Sequence, residues 1–334
     1  MHNNSYSLIE AMAYQFIEKI KNDPQRNIRN CVDMALNFSD GRFQREFFNS
    51  AQDILKNENS SYYRMILEAV HNIDSRKLVT FGMNIGYNSF THGAEIIRRT
   101  EEEKGFDIPW SVTLITNEKN FSENEMNYRK IIAEGKKLGI FTWFVFADKN
   151  PQYLMDIILR NPDCAFIIFC ESDDITDGFI DEADNMNNIM LCIKYENGIG
   201  EIFEKLRLRK MLYSVYVVYD DNTISGFFSD VIVNCADVFR SLLTIVVPDK
   251  NCSDMTKNIV YRHIKKLRIK KNFKTVMWEF CYDSLYIDNV ISDGPCAAVI
   301  DKNGKISRIY DYDEKSSDCF SQGLENSLKE LFPK

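Results

Sequence analysis

The chain has 334 residues, 45% of them apolar and 27% charged, with a net charge of −8. This is the balance of a globular protein with a sizeable core, and its acidity argues against nucleic acid as a partner. Apolar runs such as "CAFIIFC" at 164–170 are too short to cross a bilayer, and the nine cysteines are scattered without a disulfide framework. "MHNNSYSLIE" shows no basic segment leading into an apolar one, so the expected compartment is the cytoplasm, with no membrane partner.

The first 76 residues read as a helical cap of about four helices. Ile9, Met12, Ala13, Phe16 and Ile20 follow the spacing of one buried helix face. Asp23-Pro24 supplies an N-cap and a first-turn proline for the second helix. After Asp40-Gly41, Phe43, Phe47, Ala51, Ile54 and Leu55 repeat the pattern, and Ser60 or Ser61 caps a helix carrying Tyr63, Ile66, Leu67 and Val70.

From residue 77 to 250 the rhythm changes to short apolar runs at 78–83, 111–116, 140–146, 164–170, 189–194, 213–219 and 242–247. Helical stretches separate most of them. Continuous apolar strands alternating with helices predict a parallel sheet buried on both faces, as an open doubly wound sheet or a full or partial (β/α) barrel of TIM-like type. Residues 251–334 form a third segment. Asn303-Gly304 gives "CAAVIDKNGKISRIY" a hairpin turn, and "SQGLENSLKELF" reads as a closing helix.

In such a fold, ligands meet the carboxyl ends of the strands. Acids cluster there: Glu118, Asp148, Glu171, Glu196, Asp220, Asp221 and Asp249. Asp148, Glu171 and Glu196 are the candidate ligands of a divalent metal, against the alternative that such acids cap the next helix. Cys170, next to Glu171, pairs on paper with His92 as nucleophile and base, against the alternative of a buried structural thiol. In "LVTFGMNIGYNSFTHG", Gly82, Asn84, Gly86 and Asn88 would let a loop hold a small ligand through backbone amides, although no dinucleotide or P-loop fingerprint is present. "RHIKKLRIKKNFK" at 262–274 carries seven bases and no acid, and reads either as a landing place for an acidic peptide or phosphate or as a solvated helix face. Trp278-Glu279 lines a groove or belongs to the core.

This order of parts, over residues 77–334, resembles the radical S-adenosylmethionine (radical SAM) proteins, especially peptide-modifying members with a SPASM-type C-terminal extension. The resemblance lies in the βα repeat, in "CAAVIDKNG" followed by "GLENSLKELF", and in Glu118 of "TNEK", which matches one residue of the family's Gly-Gly-Glu. It implies a partial barrel, S-adenosylmethionine as a cofactor held near Glu118, and a peptide or partner enzyme in a bacterial peptide-maturation pathway. The family's C-x3-C-x2-C loop would correspond to "GMNIGYNSFTHG". No cysteine lies between Cys31 and Cys164, so no [4Fe–4S] cluster is expected in that loop. Cys296 matches one auxiliary-cluster ligand, and Cys281 and Cys319 could approach it, although nothing in their spacing requires a metal. Two readings therefore stand side by side: a cluster-less radical-SAM-like binding protein, and an enzyme using an acidic strand-end site with a divalent metal or Cys170.

Overall fold

The N-terminal segment forms helices because apolar residues recur at helical spacing between strong caps. They are α1 (His2–Asn22), α2 (Pro24–Asn37), α3 (Arg42–Leu55) and α4 (Ser61–Asn72). Pro24 opens α2, and Ser60 caps α4 by accepting the Tyr62 N–H at 3.4 Å. Ile17, Ile20, Ile28, Tyr63 and Val70 are buried among these helices, whereas Phe47 is left exposed. The computed structural model describes residues 2–39, 41–196, 198–223, 241–270, 274–309 and 311–334. Asp40 and residues 271–273 of the basic stretch lie outside them.

The run at 78–83 is not a strand. It lies in α5 (Ser75–Met83), which continues into a π-helix (Asn84–Gly93) and then α6 (Ala94–Lys104). Asp74 starts the helix by accepting the N–H groups of Arg76 and Lys77 at 2.8 and 3.4 Å. Val79, Phe81 and Met83 are all buried, and their alternation imitates a strand.

The βα part follows as β1 (Ser111–Asn117), α7 (Glu118–Glu123), α8 (Glu125–Leu138), β2 (Thr142–Asp148), α9 (Met155–Leu159), β3 (Ala165–Cys170), α10 (Asp177–Asp184), β4 (Ile189–Lys194), α11 (Gly200–Leu208) and β5 (Tyr213–Tyr219). Then come β6 (Leu243–Pro248), α12 (Asp254–Lys270), β7 (Val276–Glu279), α13 (Phe280–Ile291), β8 (Ala298–Ile300), β9 (Lys305–Arg308), β10 (Asp311–Asp318), α14 (Cys319–Gln322) and α15 (Leu324–Leu331).

Two compact units result. The first comprises Met1–Ser39, Arg45–Val79 and Leu191–Asp283; the second comprises Asp40–Gln44, Thr80–Met190 and Ser284–Lys334. The three successive segments expected from sequence are thus regrouped. The first helices fold with the later strands, and the C-terminal hairpin folds with the early ones.

In the first unit the strand order is β4-β5-β6-β7, and all neighbours are parallel. In the second it is β10-β9-β8-β1-β2-β3, with β8, β1, β2 and β3 parallel and the edge hairpin antiparallel. Every residue of β3 is buried, which is why it reads as an unbroken apolar run. Trp143, Phe166 and Phe169 are fully enclosed, each contributing about 1.5–3 kcal/mol by leaving water. Gly304, at φ +84°, makes the hairpin turn expected of Asn303-Gly304. The α/β class with a mostly parallel sheet therefore holds.

Candidate functional site

The loop that drew attention in the sequence is occupied by its own packing. Asn84 donates to the carbonyls of Pro162 and Cys164, both at 2.9 Å. Asn88 donates to Asn84 Oδ1 and to the Asp163 carbonyl, and Ser89 bonds Thr142 Oγ1. These side chains satisfy the turn that leads into β3. A Cβ on Gly82 or Gly86 would meet open space, so neither glycine serves a close approach. Gly93 does: a Cβ there would stand 2.3 Å from the Gly139 carbonyl oxygen, and one on Gly139 would stand 2.4 Å from that of Gly93. The glycine pair packs two backbones together. The ligand-holding role expected of Gly82, Asn84, Gly86 and Asn88 does not fit this geometry.

Cys170 and His92 are also not a pair. The His92 ring lies 5.8 Å from that of Phe141, whose carbonyl receives the Ala165 N–H at the start of β3. Cys170 closes β3 five residues on, about 17 Å along the strand. Its thiol is enclosed in the core, 1% exposed, and burial raises its pKa, so thiolate is disfavoured.

The carboxyl ends of β1, β2 and β3 do form an acidic rim. Asn117 pairs with Asp148 in register and caps α7 by accepting the Asn120 N–H at 2.9 Å, which sets Glu118 in the first turn of that helix. Asp148 and Glu171 end β2 and reach past β3, and both are exposed. Lys149 and Asn150 follow Asp148 with φ of +56° and +31°, a strained turn of the kind found at binding sites. Asp174 accepts the backbone N–H of Asn150, and its pKa is raised by burial and then by Glu171 and Asp148. The Tyr153 phenol is pushed up mainly by burial, and also by Asp148 and Glu118. Glu118, Asp148, Glu171, Asp174 and Tyr153 thus share one electrostatic environment that attracts cations. Asp174 and Tyr153 went unread in the sequence; the repeated acid in "SDDITDG" was the available signal.

The metal expectation fares differently. Among the described residues, no three His, Cys, Asp or Glu side chains are placed to hold a metal ion. Asp148 and Glu171 belong to the rim just described, while Glu196, in the first unit, lies 4.0 Å from Lys194. Asp220, Asp221 and Asp249 cap turns and a helix start through Thr223, Ser253 and Asn251. Cys281, Cys296 and Cys319 are buried.

In the first unit, the ends of β5 and β7 are buried. Tyr219, at the end of β5, donates its hydroxyl to Glu279 Oε1 at 2.8 Å, and the Tyr282 N–H reaches Glu279 Oε2 at 2.6 Å. Asp283 accepts the Glu279 N–H and binds Arg268. Burial lifts Glu279 to about 7 against the pull of these donors.

No family model matches the sequence, and no curated protein matches it significantly. The architecture nevertheless has solved counterparts. A crystal structure of Streptococcus suis SuiB, a radical SAM enzyme, aligns with a TM-score of 0.52 at 9% identity, covering 89% of this chain and 80% of that one. SuiB bound to its precursor peptide SuiA aligns at 0.51 and 10% identity, over 72% and 69% of the chains. SuiB bound to S-adenosylmethionine aligns at 0.50 and 9%, over 72% and 68%. The fold is radical-SAM-like. Identities this low speak to architecture alone, and the chemistry has to be argued from the residues.

Proposed function

We propose that this chain is a radical-SAM-like protein without the ordinary cluster, which binds a peptide or a partner enzyme in a bacterial peptide-maturation pathway. The observation that carries the reading is the segment after the first parallel strand. β1 ends in "TNEKNFSE", which contains no cysteine, and neither does the π-helix that the sequence pattern had placed in that role. An iron–sulfur cluster is held by cysteine thiolates, so neither segment suits one. A fold shared with SuiB, combined with the lack of cysteine in these two segments, favours recognition over radical chemistry. SuiB has been crystallised with a precursor peptide and with S-adenosylmethionine, and those two ligand classes are the ones proposed here. Glu118 and the acidic rim supply negative charge for a cationic group such as a methionine ammonium or a basic peptide side chain.

The test is iron and sulfide analysis of the full chain prepared anaerobically, followed by incubation with dithionite and S-adenosylmethionine. Substoichiometric iron and no 5′-deoxyadenosine are expected. A stoichiometric cluster that cleaves S-adenosylmethionine overturns the reading. The binding half is tested with fluorescein-labelled synthetic peptides of opposite net charge; the absence of saturable binding by any of them refutes it.

A further inference from the structure

Helix α12 (Asp254–Lys270) turns one face inward and another, of unusual composition, to water. Val260 and Ile264 are fully buried, with Thr256 and the stem of Lys257 beside them. The opposite stripe runs through Met255, Ile259, Arg262, Lys266 and Ile269, offsets of 4, 7, 11 and 14 that keep to one side of a helix. Met255 is 74% exposed, Ile259 43% and Ile269 70%. Lys265 lies alongside, its ammonium 5.3 Å from the Tyr261 ring centroid. The only acid of this helix is Asp254, which is committed to Lys257 at 3.2 Å. On a chain of net charge −8, this is a basic and apolar strip about 21 Å long.

We infer that this strip is a docking surface for an acidic amphipathic peptide segment, whose carboxylates meet Arg262, Lys265 and Lys266 and whose apolar side chains cover Met255, Ile259 and Ile269. The inference deepens the proposed function by naming the chemistry of the partner, and it rests on the reading of this chain as a peptide-binding protein. Charge complementarity selects the occupant. A basic strip draws an acidic partner and repels other basic surface. A two-fold contact with a second copy would set Arg262 and Lys266 against themselves. A bilayer fits less well, because helices that lie in a membrane keep a continuous apolar face below the headgroups. Here Arg262 and Lys266 stand between the apolar ends, and inserting Met255 and Ile269 would drag both cations down with them. The buried face already packs in the core, so the helix cannot roll to offer a cleaner side.

The experiment is fluorescence anisotropy of the full chain with a labelled synthetic helix of Glu and Leu at amphipathic spacing, with its Lys/Leu counterpart as a control. Saturable binding of the acidic peptide in the micromolar range is expected, weakening as salt rises. Arg262→Glu with Lys266→Glu should weaken it by about tenfold or more. Met255→Ser with Ile269→Ser should weaken it at constant salt. All four side chains are exposed, so near-ultraviolet circular dichroism should be unchanged; should a charge reversal misfold, the salt dependence of the unaltered chain still decides. Loss of basic-peptide binding in the charge-reversed variant, acidic-peptide binding untouched by both double variants, or no acidic-peptide binding at all overturns the inference. So does flotation with phosphatidylcholine–phosphatidylglycerol vesicles in place of peptide binding. Peptide binding that survives both double variants sinks the strip and leaves the proposed function intact. A catalytic cluster does the reverse.

Discussion

At the ends of β2 and β3, Asp148 and Glu171 stand in water, whereas Glu279 at the end of β7 is wholly enclosed and bonded by Tyr219 and Tyr282. Both places are carboxyl ends of parallel strands. In the second unit Asp148 and Glu171 remain hydrated and generate a field; in the first, desolvation lifts the pKa of Glu279 to about 7. Position at a strand end therefore does not decide what a carboxylate can do. Burial does. An open rim can meet a charged ligand, while the closed one is a stability element whose contribution depends on pH.

The largest effect that would break this picture lies at the other end of the second unit's strands. If the segment around Gly93 is packing rather than a ligand loop, Gly93→Ala should destabilise the protein by about 3 kcal/mol or more in chemical denaturation, because its Cβ meets backbone that cannot retreat. A loss below about 1 kcal/mol would mean that the loop can move, and would restore it as a ligand-binding candidate.

Next comes the closed rim. Glu279 has its pKa raised on folding, so the folded protein binds the proton more tightly than the unfolded chain. Its contribution is fully present below about pH 4.5 and is lost as pH rises through 7, a difference on the order of 3 kcal/mol. Glu279→Gln should flatten the pH dependence of the unfolding free energy across that window. A slope identical to that of the unaltered chain would show that Glu279 is hydrated after all. Asn84→Ala follows in size: it removes the donor to the Pro162 carbonyl and leaves the Cys164 carbonyl with Asn188 alone, at about 2 kcal/mol, and a neutral outcome in urea titration would contradict the packing role.

These residues also show which parts of the molecule were legible in one dimension. β1 to β6 were visible because a strand buried on both faces is a continuous apolar run, and α1, α2 and α4 because their caps and spacing agree. The helix over Ser75–Met83 reads as a strand because Val79, Phe81 and Met83 alternate, and only the Asp74 cap marks it as helical. β7 is only four residues long and was hidden in an aromatic stretch. The rim was half legible: Glu118, Asp148 and Glu171 follow directly from strand ends, but Asp174 and Tyr153 join them through a strained turn that leaves no sequence period. The Cys170–His92 pair fails because residues 78–83 are helical, so the segment carrying His92 does not follow a strand and lies beside Phe141, ahead of β2, rather than at the carboxyl ends.

The smallest predicted effect is the sharpest test of the contrast between the two rims. Asp148→Asn combined with Glu171→Gln removes two exposed charges and should change stability by no more than about 0.5 kcal/mol, as for ordinary surface positions. Yet both charges oppose ionisation of Asp174, so the double variant should titrate Asp174 at lower pH, read from its carboxyl resonance by NMR. The two readouts move apart only if the rim is open to water and electrostatically coupled. A loss well above about 1 kcal/mol would place these acids in the same structural class as Glu279, and an unmoved Asp174 would mean that the rim is a set of separate surface charges with no common field to offer a ligand.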